Sequence, residues 1–214
     1  MAFLRNQNEK TAQFFSQYSE QYDEKIGKLS LYNQSYIDFI SKAKSTKTLL
    51  DLACGPANVS SFIKRIVPDI KITCIDLSDK MLDLAESKLI TGYYYKSDIL
   101  NIKIPPEKYD LIVCAFGLPY IKSSEIPKFI SELDKFTHQD SLIYISCMQG
   151  NKSQYEKMSF SKNEEVLVHY HSKTSVLENF KSYNYKLLDY VEQEFPEHDG
   201  STIVDMIFTF KKEI

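Results

Sequence analysis

The chain has 214 residues, 43% hydrophobic and 26% charged, with 15 Tyr, 13 Phe, no Trp and a formal net charge of −3. That length suits one domain with at most a small appendage, and the composition excludes disordered, collagen-like and membrane-spanning classes. Positive charge comes almost wholly from Lys, with Arg5 and Arg65 the only arginines, so a surface dedicated to nucleic acid is not expected.

Residues 1–44 are expected to form a helical cap. Phe14, Phe15, Tyr18, Tyr22 and Ile26, then Tyr32, Tyr36, Phe39 and Ile40, recur at helical spacing and predict two amphipathic helices. The opening stretch, Met1 to Asn6, lacks the apolar run of a signal peptide, and a cytoplasmic location is expected.

From residue 45 to 214 the pattern changes. Thr48–Leu52, Ile70–Ile75, the weaker Tyr93–Lys96, Tyr109–Ala115 and Leu142–Cys147 read as strands, mostly buried on both faces. Between them Val59, Phe62, Ile63 and Ile66, and later Ile126, Phe129, Ile130 and Leu133, follow the spacing of helices that cover a sheet. This alternation predicts a doubly wound parallel α/β sheet whose ligand crevice lies beyond the carboxyl ends of the strands.

Residues 149–172 break the rhythm. Gln149 to Glu165 is polar and too long for an ordinary connection, so a loop on the substrate side is expected. Tyr185 to Phe195 and Thr202 to Phe210 then read as β-type runs joined by the turn-rich Pro196-Glu197-His198-Asp199-Gly200, a hairpin that would make a final strand antiparallel. The four cysteines, Cys54, Cys74, Cys114 and Cys147, form no C-x-x-C pair, and His169-Tyr170-His171 has no acid or third ligand beside it. Neither a metal site nor a disulfide framework is expected.

Chemistry concentrates after the predicted strands. In Leu50-Asp51-Leu52-Ala53-Cys54-Gly55-Pro56-Ala57-Asn58 a buried strand reaches a carboxylate and turns through small residues into a helix, a geometry that lets backbone N–H groups approach a ligand. Asp76 ends the second strand, where an acid in a crevice of this kind takes both hydroxyls of a ribose. Asp98 follows the third and is placed to accept from an exocyclic amino group.

The segment Asp51-Leu52-Ala53-Cys54-Gly55-Pro56 resembles the first motif of the class I S-adenosylmethionine-dependent methyltransferases, and the likeness runs from about Thr48 to the C-terminal hairpin. It implies a Rossmann-like, seven-stranded sheet with an antiparallel C-terminal hairpin strand. It also implies a cofactor, S-adenosylmethionine, and a product, S-adenosylhomocysteine. By this resemblance Asp51, Ala53, Cys54 and Gly55 hold the methionyl end, Asp76 the ribose, Leu77 and Met81 the faces of the adenine, and Asp98 with Ile99 its amino edge. Ala115 and Phe116, in the loop after the fourth strand, would face the transferable methyl group, and Tyr18 and Tyr22 would supply an aromatic lid. Ala53 and Ala57 stand where the family often has glycine. Should Ala57 need φ > 0, it carries about 1–2 kcal/mol of strain.

The function expected is methyl transfer to a small-molecule acceptor by in-line displacement. His169, His171 and Tyr120 are the candidates for any general base. Two rivals are a silent methyltransferase-like module serving a partner protein and a nicotinamide-dependent oxidoreductase. The second lacks its G-x-G-x-x-G, since only Gly55 stands in the turn. No membrane or nucleic-acid partner is expected.

Overall fold

The computed structural model describes residues 7–162, 164–196 and 202–213. Seven strands form one sheet: β1 (Thr48–Leu52), β2 (Lys71–Asp76), β3 (Tyr93–Lys96), β4 (Tyr109–Ala115), β5 (Thr137–Met148), β8 (Tyr185–Pro196) and β9 (Thr202–Lys212). Their order is β3-β2-β1-β4-β5-β9-β8; β1 to β5 run parallel, and β9 is antiparallel to both its neighbours. The strand order reverses between β1 and β4, and ligands of open α/β sheets bind beside that switch point.

Period-two alternation divides the central strands between two cores. Leu50, Leu52, Ile112, Cys114, Ile143 and Ile145 pack under α6 (Ile126–Asp134) and α7 (Lys173–Ser182). Leu49, Leu111, Val113, Leu142 and Tyr144 face the opposite layer, with α3 (Asn33–Ser41), α4 (Asn58–Ile66) and α5 (Asp79–Lys88). The helix α7, which sequence reading passes over, anchors Phe180 on the sheet, where its ring stacks on Phe210 with centroids 4.1 Å apart.

At the amino-terminal edge, Asp110 accepts from Ser45 Oγ and the backbone N–H groups of Lys47 and Thr48, while Asp140 pairs with Lys44 and Lys211. These acids close the end of the sheet opposite the crevice. β5 begins earlier than the apolar run suggests because Thr137 already pairs with Tyr109; a bulge follows, and Asp140 turns left-handed with φ 76°.

Among the described residues three helices rather than two precede β1. α1 (Gln7–Gln17) and α2 (Ser19–Ile26) meet at Tyr18, where backbone bonds from Tyr18 to Phe14 and from Tyr22 to Tyr18 continue, so the chain kinks without unravelling. α3 belongs to the sheet layer, since Tyr36 and Phe39 pack on Tyr144. Only α1 and α2 therefore act as the expected cap.

The stretch expected to be one long loop folds into a second, two-stranded antiparallel sheet, β6 (Ser153–Lys157) with β7 (Glu165–His169). Val166 and Val168 are β-branched and buried in β7, whereas β6 is polar and exposed. Val166, Val168 and Tyr170 pack on Phe14 and Tyr18 of the cap. The opening Met1 to Asn6 and the turn residues Glu197 to Gly200 lie outside the described residues. Among the described residues no helix is long and apolar enough to cross a membrane.

Truncating Phe180 to Ala removes a fully buried, stacked ring. A loss of about 3–5 kcal/mol is expected from urea unfolding of Phe180→Ala, as for other large aromatic truncations in a core; a change within 1 kcal/mol, roughly that of a surface substitution, contradicts the packing of α7.

Candidate functional site

The carboxyl ends of β1, β2 and β4 open into a cavity of about 790 Å³, mouth included, which is the size of small-molecule sites. Its floor begins at the turn after β1. Ala53, Gly55 and Ala57 alternate there in the left-handed region, at φ 53°, 53° and 56°. Gly55 adopts this freely, but each alanine carries about 1–2 kcal/mol of strain. The expectation for Ala57 is met, and Phe116 across the cavity is left-handed as well, at φ 57°. Strained non-glycine residues of this kind gather at ligand clamps.

Asp76 holds that turn. Its Oδ2 accepts from the Gly55 N–H at 2.9 Å and its Oδ1 from the Ser78 N–H at 2.8 Å. Burial raises its pKa, and these backbone donors oppose the rise. Each oxygen keeps a lone pair for a ligand hydroxyl. Asp98 accepts from the Leu100 N–H at 2.8 Å and from the side-chain amide of Asn8 at 3.1 and 3.3 Å, which ties the floor to α1. Leu77, Met81, Ile99, Ala115, Phe116 and Gly117 complete the walls. A Cβ on Gly117 would meet Cys114 Sγ at 2.6 Å and Ala53 Cβ at 3.1 Å, so the loop after β4 can close on the turn after β1 only with glycine there.

The roof is aromatic. Phe15 sits edge-on to Tyr22 (5.7 Å) and Tyr120 (5.0 Å), and Tyr22 contacts Phe160 (5.2 Å). Burial, then the charges of Asp76, Asp23 and Asp51, keep the Tyr22 hydroxyl protonated. Ion pairing of Lys88 with Asp23 and a 2.7 Å bond between Ser16 and Ser78 fasten the cap to α5 and its N-cap.

Most of the residues singled out from sequence share this cavity: Ala53, Gly55, Asp76, Leu77, Met81, Asp98, Ile99, Ala115, Phe116, Tyr22 and Tyr120. Five do not. Asp51 lies one step deeper, 2% exposed, with its Oδ2 accepting from Ser60 Oγ at 2.6 Å; burial pushes its carboxyl up to about 7 despite that bond, and the charge of Asp76 adds to the rise. The three acids therefore do not converge on one wall: Asp76 and Asp98 do, and Asp51 acts from behind them through its field. Cys54 is buried with its thiol pKa raised by burial, and Tyr18 packs on Phe14 beneath the β6–β7 sheet instead of over the cavity.

His171 is fully buried, with Nδ1 3.1 Å from Ser123 Oγ and Nε2 2.9 Å from the Leu118 carbonyl. Both ring nitrogens are spent on joining the insertion to the loop after β4. His169 lines a neighbouring cavity instead.

Sequence reading missed Asn8, Thr11, Ala12, Ser97 and Ile121 on the wall. Asn8 and Thr11 precede Phe15 by seven and four positions on one face of α1. Polar residues sharing a face with the lid aromatics were the available signal. The Thr11 hydroxyl is buried without a hydrogen-bond partner, an arrangement that natural interiors rarely leave unfilled. A ligand with a polar group beneath α1 would satisfy it. Together with the acids, the strained turn and the cavity size, this fits S-adenosylmethionine.

Residues 49–140 match the sequence profile of a family described as a methyltransferase domain. A demethylmenaquinone methyltransferase of Thermotoga maritima is 32% identical over 108 residues, 48% of this chain and 47% of that protein. The chain thus spans about half the length of that relative. It spans about a third of an uncharacterised protein of Methanocaldococcus jannaschii, 29% identical over 122 residues. In fold, a magnesium protoporphyrin IX methyltransferase from Synechocystis with bound S-adenosylmethionine superposes over all of both chains at TM-score 0.75 and 12% identity. A [4+2]-cyclase does so over 97% of both at 0.73, also with 12% identity. Residues 49–140 thus match a methyltransferase domain, and the fold of the chain is one it shares with S-adenosylmethionine-dependent methyltransferases of known structure.

Because the folded pKa of Asp51 lies near 7, above its unfolded value, the native state binds the extra proton. Stability from this group is therefore greatest below about pH 4 and falls as pH rises towards 7. Melting scans of the ligand-free protein should show Asp51→Asn more stable than wild type at pH 8 and the gap closing by pH 4; an equal gap at both pH values contradicts the burial argument.

Proposed function

We propose that the chain is a methyltransferase that binds S-adenosylmethionine beneath α1 and transfers its methyl group to a small-molecule acceptor. The observation that carries this reading is the placement of Asp76 and Asp98, from the ends of neighbouring strands, on one roofed cavity beside a strained small-residue turn. Quinone methyltransferases among the relatives and the porphyrin methyltransferase of similar fold support a small-molecule acceptor.

In this reading Asp76 takes the ribose hydroxyls, Asp98 and Ile99 the adenine edge, Leu77 and Met81 its faces, and Thr11 a polar group of the methionyl end. The carboxylate of Asp76 on the wall, with the carboxyl of Asp51 behind the turn, favours a cation in the cavity. When bound, the cofactor supplies a methyl group on a sulfonium leaving group, so alignment and exclusion of water are the main tasks left to the protein. Phe15, Tyr22 and Tyr120 exclude water. Burial holds the Tyr120 hydroxyl protonated, which suits it to donate a hydrogen bond rather than to take a proton. With His171 engaged at both nitrogens, His169 is the candidate base that keeps a ring nitrogen uncommitted.

The cyclase among the structural neighbours favours keeping a second reading, a cofactor-binding fold used for something other than methyl transfer. Calorimetry followed by turnover separates the two. S-adenosylhomocysteine is expected to bind wild type, to lose measurable affinity for Asp76→Ala, and to bind Thr11→Val about tenfold more weakly, the effect of losing a hydrogen bond to a charged group. Wild-type affinity in both variants would refute the site. Binding without methyl transfer across an acceptor panel would favour the second reading.

A further inference from the structure

The turn that floors the cavity covers a carboxyl group that has no partner of opposite charge. Asp51 of β1 is 2% exposed, and Ser60 of α4 donates to it from its hydroxyl, at 2.6 Å, and from its backbone N–H. Its other polar neighbours come from every element packed around the turn. Asp76 and Cys74 stand on β2, Cys54 in the turn itself, Cys114 on β4, Tyr22 on α2 and Tyr36 on α3. Burial keeps the thiols of Cys54 and Cys114 and the hydroxyls of Tyr22 and Tyr36 protonated, and Cys74 donates to Ser60 Oγ at 3.9 Å. Among the described residues no Lys, Arg or His acts on Asp51, and the one charge that does is the like charge of Asp76. A carboxyl so placed ionises readily only when a cation arrives from outside the protein.

Asp51 is within electrical reach of the cavity although it does not line it. Its charge acts on the Tyr22 hydroxyl, and the charge of Asp76 acts on it; Tyr22 and Asp76 are both on the wall. The medium between is packed protein, through which charges interact more strongly than through water. Methyl transfer changes the charge facing it. The C–S bonding pair stays on sulfur, so a sulfonium cation becomes an uncharged thioether, whereas the ammonium and carboxylate of the methionyl end are common to cofactor and product.

We propose that Asp51 is the residue by which the site tells the cationic cofactor from its product: a sulfonium in the cavity drives the proton off Asp51, and a thioether lets it return. The proposal rests on the methyltransferase reading of the cavity and deepens it. Cofactor is then held by an ionised pair of carboxylates, and product by one carboxylate and one neutral acid. Proton uptake from solvent after the transfer weakens the hold on the spent ligand, which assigns Asp51 a part in product exchange rather than in the chemical step.

The test titrates the full chain by calorimetry with S-adenosylmethionine and with S-adenosylhomocysteine from about pH 5.5 to about pH 8.5, a range that brackets the ionisation of Asp51. Groups on the ligands titrate alike in every protein tested, so Asp51→Asn supplies the baseline. Relative to it, the wild-type preference for S-adenosylmethionine over S-adenosylhomocysteine is expected to rise about tenfold across the range, the effect of a shift of about one pH unit in Asp51 between the two complexes. Ser60→Ala removes a donor that favours the charged form and should show the same rise displaced to higher pH. The proposal is overturned if the wild-type preference follows pH as it does in Asp51→Asn, or if Ser60→Ala leaves the rise where it is in wild type. Should Asp51→Asn bind neither ligand, the displacement in Ser60→Ala alone decides. Failure of both ligands to bind wild type is a different result, which removes the reading of the cavity and this inference with it.

Discussion

The site depends on one carboxylate. Asp76 closes β2 and reaches across to the turn after β1, where its oxygen holds the Gly55 N–H while its other oxygen caps the start of its own loop at Ser78. Two loops that are distant in sequence are thereby fixed against each other at the edge of the sheet. The left-handed residues Ala53, Gly55 and Ala57 can persist only because the surrounding structure over-determines them, and this bond is part of that constraint. A floor that is strained and preorganised need not be ordered by its ligand, which lowers the cost of binding.

Two carboxyl groups stand at this floor, Asp76 on the cavity wall and Asp51 behind it. Asp51 is buried and Asp76 is half-buried on the cavity wall, and desolvation raises the pKa of both. Such an arrangement is poor for stability but useful to a protein that must hold a positively charged ligand. The roof answers a different need. α1, the kink at Tyr18 and the β6–β7 sheet form an aromatic layer around Phe14, Phe15, Tyr120 and Phe160, joined to the body by Asn8–Asp98, Ser16–Ser78 and Lys88–Asp23. These contacts are few and partly polar, whereas the sheet below is packed on both faces. The roof is the part of the molecule best suited to open.

Sequence patterning revealed the sheet well because parallel strands covered on both faces are nearly continuous apolar runs, as in Leu111-Ile112-Val113-Cys114. It revealed the strand-end acids because the fold puts such positions in the crevice whatever the ligand. It failed where neighbours outside the local pattern decide. Asp51 looks equivalent to Asp76 in sequence, yet the Ser60 hydroxyl from α4 claims it and the turn covers it. Tyr18 and Tyr22 look equivalent on a helical wheel, yet the kink between α1 and α2 sends one into the β6–β7 contact and the other over the cavity. His169 and His171 differ for the same reason, since Ser123 and Leu118 engage both nitrogens of the second. The β6–β7 sheet was illegible because Ser153-Gln154-Tyr155-Glu156-Lys157 is a polar strand held by its partner and not by burial of its own side chains.

The central claim is that Asp76 and Asp98 are two ends of one nucleoside site beneath α1. A crystal structure of the full chain with S-adenosylhomocysteine tests it most directly. The account predicts the ribose hydroxyls on Asp76, the adenine amino group on Asp98, and the sulfur facing the Ala115–Gly117 loop beneath Phe15. A ligand lying elsewhere, or a cavity whose two aspartates remain bonded only to Gly55, Ser78, Leu100 and Asn8 at saturating ligand, would contradict it.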